Sequence, residues 1–87
     1  MRLIVFEPNA FEELAEWQKI NRKICERIFD LLEETARNPF EGRGKPEQLK
    51  HNFKGYCSRR ITDEHRLVYK VTDEAIIVVS CKFHYEK

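Results

Sequence analysis

The C-terminal half carries side chains of the kinds that acid–base chemistry on a phosphodiester requires: Glu47, Lys50, Arg60, Arg66 and His84. Cutting RNA without a metal needs a base to take the 2′-OH proton, because the attacking oxygen is a weak nucleophile. It also needs cations around the crowded, highly charged phosphorane and an acid for the leaving 5′-oxygen. Glu47 or a histidine suits the base. Arg66, Arg60 and Lys50 suit the phosphate, arginine by its fork of donors. His84 suits the acid, since an unperturbed imidazole titrates near neutral pH. Each residue also has a plain structural explanation: Glu47 as a carboxylate at a helix start, Arg60 and Arg66 as cross-strand surface charges, His84 as a terminal residue. Residue chemistry alone leaves both explanations standing.

Other chemistries fail on spacing. In Gly42-Arg43-Gly44 the third glycine of a dinucleotide loop would fall at Glu47, and no strand–helix context surrounds it. A phosphate-binding P-loop fails because Lys45 is followed by Pro46. Cys81 and His84 have ligand-like spacing, but no second pair exists and strand alternation sends them to opposite faces. No metal or other cofactor is expected.

The elements that must position these residues come from 87 residues, too few to divide between two cores, so residues 1–87 are read as one domain. After Arg2 only four apolar residues precede Glu7, too short a run for a signal-peptide core or a membrane span. A cytoplasmic chain without a membrane partner is expected. Cys25, Cys57 and Cys81 form no C-x-x-C pair and are expected as small buried apolar groups rather than disulfides. The net charge of +1 hides an asymmetry: residues 1–41 carry six Lys/Arg against nine Asp/Glu, residues 42–87 ten against six. A basic C-terminal half fits a polyanion such as RNA, although charge counts alone favour a solvated basic surface.

Residues 2–6 form a run rich in β-formers, predicting a strand buried on both faces. Pro8 suits the first turn of a helix, in which Phe11, Leu14, Ala15 and Gln18 recur at helical spacing. Asn21 offers a cap for a second helix, striped by Ile24, Ile28, Leu31 and Leu32 and ended by Asn38-Pro39. So close a junction predicts an antiparallel hairpin. Residues 39–55 hold most of the Gly and Pro, with one helical turn expected at Glu47 to Lys50; such a loop is where function tends to sit. After Gly55 the period becomes two, and Tyr56–Ile61, His65–Thr72 and Ala75–Phe83 predict an antiparallel meander. Leu67, Tyr69 and Val71 alternate with Arg66, Val68 and Lys70. Ile77, Val79, Cys81 and Phe83 alternate with Val78, Ser80, Lys82 and His84. One face should pack on the helices, leaving Arg66, Lys82 and His84 on an open face. The order β-α-α-β-β-β implies an α+β fold with a helix hairpin on one face of a small, mainly antiparallel sheet.

Several strings occur in sequence: Pro39-Phe40-Glu41-Gly42 with Gly44-Lys45-Pro46-Glu47, then Leu49-Lys50-His51-Asn52. Ser58-Arg59-Arg60-Ile61-Thr62, Glu64-His65-Arg66-Leu67-Val68-Tyr69 and finally His84-Tyr85 follow. Together with Leu3-Ile4 and Trp17-Gln18, they make the chain resemble the YoeB-type toxins of the RelE superfamily over almost its whole length. The resemblance implies a RelE-like fold and an mRNA interferase of a toxin–antitoxin pair. Such an enzyme cuts mRNA in the ribosomal A site by 2′-OH attack, leaving a 2′,3′-cyclic phosphate and a 5′-OH. It implies Glu47 as general base, His84 as general acid and Arg66 as the transition-state arginine. Lys50 and Arg60 would be supporting phosphate contacts, and Tyr85 an aromatic that positions the RNA. The implied partners are a YefM-type antitoxin, mRNA and the 30S ribosomal subunit, and a homodimer is compatible with the family. Two departures stand out: Cys57 occupies the place of a second aromatic, and Glu86-Lys87 extends past the usual end. A different class of reading is a non-catalytic RNA- or ribosome-binding module on the same scaffold, which would bind but leave no cleavage product. A third is an interaction protein using Arg60 and Arg66 as ion-pair residues.

Overall fold

A computed structural model of the chain describes residues 1–83; His84 and Tyr85, two of the expected site residues, lie outside the described residues. Helix α1 (Pro8–Ile20) and helix α2 (Arg22–Arg37) are separated by a single residue. Asn21 serves both: its amide returns to the Trp17 carbonyl at 2.8 Å, and its side chain accepts the Ile24 amide at 3.2 Å. Such a cap contributes about 1 kcal/mol. Asn38 closes α2 immediately before Pro39, as the proline requires. The expected stripe of α2 is buried through Ile28, Leu31 and Leu32, joined by Cys25, Thr35 and Ala36. In α1 the buried stripe is Ala10, Leu14 and Trp17, so Phe11 and Gln18, expected inward, face water instead. The helix is rotated because Trp17 fixes its inner face, donating from Nε1 to the Cys81 carbonyl at 2.9 Å.

The helices cover one side of a five-stranded sheet of order β1-β5-β4-β3-β2. The strands are β1 (Leu3–Phe6), β2 (Glu47–Gln48), β3 (Tyr56–Arg60), β4 (Arg66–Val71) and β5 (Ala75–Ser80). Strand β1 runs parallel to β5, and the other pairings are antiparallel. Two expectations change here. Leu3 is 69% and Val5 44% exposed, so β1 is not buried on both faces. It is the sheet edge, with one neighbour, and only Phe6 at its end packs against the core. Glu47 does not open a helical turn; it begins β2, because the chain after Pro46 finds ladder partners on β3.

The expected strict alternation of β5 also fails, for an identifiable reason. Tyr69 pairs with Val78 but Val68 with Ser80, so Val79 is an extra residue, a β-bulge. An added residue reverses which side chains face inward. Ile76 and Val78 point to the helices before the bulge, and Cys81 joins them after it, all fully buried. Burial drives the Cys81 thiol pKa up to about 12, with the charge of Glu13 and the neighbouring Cys25 adding to the shift. All three cysteines are buried and free. Among the described residues no helix is long and apolar enough to cross a membrane.

Candidate active site

Strand register gathers three of the expected residues. Glu47 pairs with Ser58, Ser58 with Val68, and Arg60 with Arg66. Directly paired residues present their side chains on the same face, and positions two apart in a strand share that face. Glu47, Arg60 and Arg66 therefore occupy one sheet face, opposite the one that carries Leu67 and Tyr69 against the helices. The Glu47 row and the arginine row lie about 7 Å apart, the rise of two strand residues. Glu47 and Lys50 are exposed, whereas Ser58 and Val68 between them and the arginines are buried. Lys50 follows β2 and leads into a 3₁₀ turn, His51–Phe53. The Leu49 amide bonds the Tyr56 carbonyl at 2.9 Å and ties that segment to β3. Residues 47–53 line a cavity of about 470 Å³ beside Glu47. One row beyond, Lys70 pairs with Tyr56 and lays its ammonium 4.9 Å from the ring centre.

The two arginines are held differently. Arg66 folds back on the turn before it: Nη1 donates to the carbonyls of Thr62 at 2.7 Å, Asp63 at 3.1 Å and His65 at 3.1 Å. Arg60 leans towards Asp63, 4.0 Å away. Its Nε is buried without a hydrogen-bond partner among the described residues. The backbone of Arg60 is fixed by its amide, which donates to the Gly44 carbonyl at 2.6 Å. A side chain at Gly44 would be strained, because φ is +83° and a Cβ would stand 3.0 Å from the Arg60 carbonyl oxygen.

Arg59, between these functional candidates, organises the loop that carries them. Alternation turns it inward, where it is fully buried. Its Nε donates to the Tyr69 hydroxyl at 3.2 Å, and Nη1 to Glu34 at 3.1 Å and to the Arg43 carbonyl at 3.0 Å. Nη2 donates to the Asn38 carbonyl at 2.6 Å and to the Glu41 carbonyl at 2.8 Å. The Tyr69 hydroxyl in turn donates to the Pro39 carbonyl at 2.8 Å. Thus one buried guanidinium satisfies a loop that has no ladder of its own. Glu34 completes the arrangement: the Arg43 backbone amide bonded to it is the main cause holding its carboxyl below the usual range. Sequence reasoning missed this role for Arg59, although the alternation that sends Arg60 outward already implied it.

The chain then comes back beside the start of β4. Phe83 accepts from the Arg66 amide at 3.1 Å. Lys82, expected on the open face, instead pairs with Glu16 and lies over the Trp17 ring of α1 at 5.5 Å. The bulge in β5 and the end of the ladder release residues 81–83 from the sheet and turn Lys82 to the helix.

Comparison with known proteins decides the family. Residues 6–85 match the family model described as the YoeB-like toxin of bacterial type II toxin–antitoxin systems. The chain is 45% identical to toxin YoeB of Escherichia coli K12 over 82 residues, 94% of this chain and 98% of that one. It superposes on the YoeB dimer structure from Staphylococcus aureus with a TM-score of 0.89 and 49% identity, covering 97% of this chain and 98% of that one. It also superposes on the heterotetrameric YoeB–YefM toxin–antitoxin complex from the same organism with a TM-score of 0.88 and 50% identity, covering 98% and 100%. The chain belongs to the YoeB-like toxins.

Seen as a YoeB-like toxin, the chain keeps its one internal departure inside the core. Cys57 pairs with Tyr69 on the helix side of the sheet and is 4% exposed, so a thiol fills a position facing the hydrophobic layer. Burial raises its pKa, opposed by the charge of Arg59. The open face of this YoeB-like toxin sets one carboxylate against two guanidinium groups, with Lys50 alongside. That set can take a proton and hold a doubly charged phosphorane from two adjacent rows of one sheet face.

Proposed function

We propose that this toxin is an endoribonuclease that cuts mRNA in the ribosomal A site by metal-independent acid–base catalysis. The observation that carries the reading is the shared open face of Glu47, Arg60 and Arg66 set by the β2–β3–β4 register. Glu47 takes the 2′-OH proton, and the 2′-oxygen attacks the adjacent phosphorus. The bond from phosphorus to the 5′-oxygen breaks, and His84 protonates that oxygen. The products are a 2′,3′-cyclic phosphate and a 5′-OH. Arg66 and Arg60 stabilise the phosphorane, Lys50 adds a further phosphate contact, and Tyr85 stacks on a base. For Arg66 this means exchanging the carbonyls of Thr62, Asp63 and His65 for phosphate oxygens, where charge-assisted bonds are stronger.

The Staphylococcus aureus relative forms a dimer and a complex with YefM, which supports a YefM-type antitoxin and a second copy of the toxin as partners. An antitoxin segment laid over the basic face would compete with RNA there.

The test is cleavage of a defined mRNA on programmed ribosomes, with new ends mapped by primer extension and the 3′ end analysed for cyclic phosphate. Wild-type toxin is expected to cut. Glu47→Gln should lose about 10²- to 10⁴-fold, the usual contribution of a general base. Equal cleavage by the variant would defeat the assignment of the base. Ribosome binding without new ends would favour a non-catalytic binding module.

A further inference from the structure

Residues 81–83 leave the sheet ladder, yet three of their backbone polar atoms are held by side chains from elsewhere. The Cys81 amide donates to Glu13 at 2.8 Å, and its carbonyl accepts from Trp17 Nε1 at 2.9 Å. Lys82 is paired with Glu16 over the Trp17 ring. The Phe83 amide donates to His65 Nδ1 at 2.7 Å, and the Phe83 carbonyl accepts from the Arg66 amide at 3.1 Å. Two adjacent residues, one by side chain and one by backbone, thus grip both sides of one residue.

Phe83 needs that grip. Its φ is +60°, a left-handed conformation that a bulky aromatic rarely adopts. Such strain persists only where the surroundings over-determine it.

The hydrogen bond also defines the state of His65. An Nδ1 that accepts bears no proton, so the neutral ring carries its proton on Nε2. That nitrogen faces Glu64, whose Oε1 is 3.6 Å away. The ring is 7% exposed, packed edge-on to Trp17 at 4.7 Å and tilted against the Phe83 ring at 5.1 Å. Packing therefore fixes the ring plane, and the tautomer fixes what the ring can hold.

We propose that His65 is a positioning residue for cleavage: through Nδ1 it locks Phe83 onto the Arg66 backbone, and so fixes the arginine that holds the phosphate. It touches neither RNA nor the reacting atoms. The proposal rests on the reading of Arg66 as the arginine that holds the phosphate, and its experiment separates the two.

Two substitutions divide the ring from its acceptor. His65→Phe keeps a flat ring against Trp17 but removes the acceptor, whereas His65→Asn places an amide oxygen near the position of Nδ1 and gives up the ring. Ribosomal cleavage is followed at saturating and limiting toxin, and amide exchange of Phe83 is followed by NMR. His65→Phe is expected to lose at least about tenfold in kcat with KM little changed, as for a misaimed catalytic group, and to lose Phe83 protection. His65→Asn should regain most of both. In the unsubstituted protein the ¹⁵N resonance of Nδ1 should be that of an unprotonated nitrogen. Full activity in His65→Phe, or an Asn variant no better than Phe, overturns the proposal; so does a protonated Nδ1. Should Arg66→Gln cut normally, the reading of Arg66 as the phosphate arginine fails instead. The nitrogen resonance and Phe83 protection then still decide whether His65 holds this segment.

Discussion

Arg60 and Arg66 stand directly opposite each other across β3 and β4, two like charges paired on one sheet face. Such a pair costs stability, up to about 1 kcal/mol, where nothing lies between. Here the two heads are drawn towards the same 62–65 turn, Arg60 to the Asp63 carboxylate and Arg66 to backbone carbonyls. An anion seated between them removes the repulsion and adds charge-assisted bonds.

The first prediction follows from that pair. A short single-stranded RNA should bind the isolated toxin and raise its melting temperature, by about 2.7 kcal/mol of stabilisation at a hundredfold excess over Kd. Binding should weaken as salt rises, with each lost phosphate contact reducing the slope of log K against log salt by about 0.7. Fluorescence anisotropy across a salt series checks this: Arg66→Gln should flatten the slope by roughly one such step. An unchanged slope would remove Arg66 from the phosphate track.

A second prediction concerns Arg59, which is neighbour to the site but not part of it. Replacing it with Met preserves the apolar stem and deletes five donated bonds. The carbonyls of Asn38, Glu41 and Arg43 then lose their buried partner, and Glu34 loses a cation. Breaking a buried charged arrangement from one side costs about 3–5 kcal/mol, a large share of the stability of any small domain. Urea unfolding should show a midpoint shifted by that amount, and proteolysis should begin within residues 39–45. Arg59→Lys should recover little, since an ammonium cannot reach five acceptors spread along a fork. A variant as stable as the parent would show that the loop is held by something else.

The course of the chain was legible where one signal dominated. Asn21, Pro8 and Asn38-Pro39 bounded both helices correctly because caps and prolines act locally. The meander followed from two tight turns between alternating strands. What stayed hidden depends on partners distant in sequence. No local pattern distinguishes the exposed edge of Leu3 and Val5 from a central strand, since both read as apolar runs. The bulge at Val79 leaves no trace in a run of β-branched residues, yet it turns Cys81 inward and Lys82 to the helix. Glu47 sits in a two-residue strand that exists only because β3 offers it a ladder. Of the site, Glu47, Arg60 and Arg66 were named from residue chemistry and family resemblance; their common face is what the register adds. His65 passed unremarked because a histidine beside an arginine in a strand looks like one more surface charge.

The third prediction is a pH dependence with a definite sign. The Glu34 carboxyl is held below its ordinary value mainly by the Arg43 amide, with the Arg43 side chain and the charge of Arg59 adding to this and burial opposing it. A carboxylate whose folded pKa is depressed stabilises the fold above its unfolded pKa, near 4.3, and that stabilisation is lost as pH falls through the folded value. Glu34→Gln mimics the protonated acid at every pH and leaves Arg59 with a neutral neighbour. At neutral pH the wild type should therefore be the more stable of the two. As the solution is acidified below about pH 4 the two proteins should converge, because the wild-type side chain becomes what the variant already is. Urea midpoints for both proteins at a series of pH values measure the gap directly. A gap that stays constant into acid would mean that the Glu34 charge contributes nothing, and that the loop is held through Arg59 and the carbonyls alone.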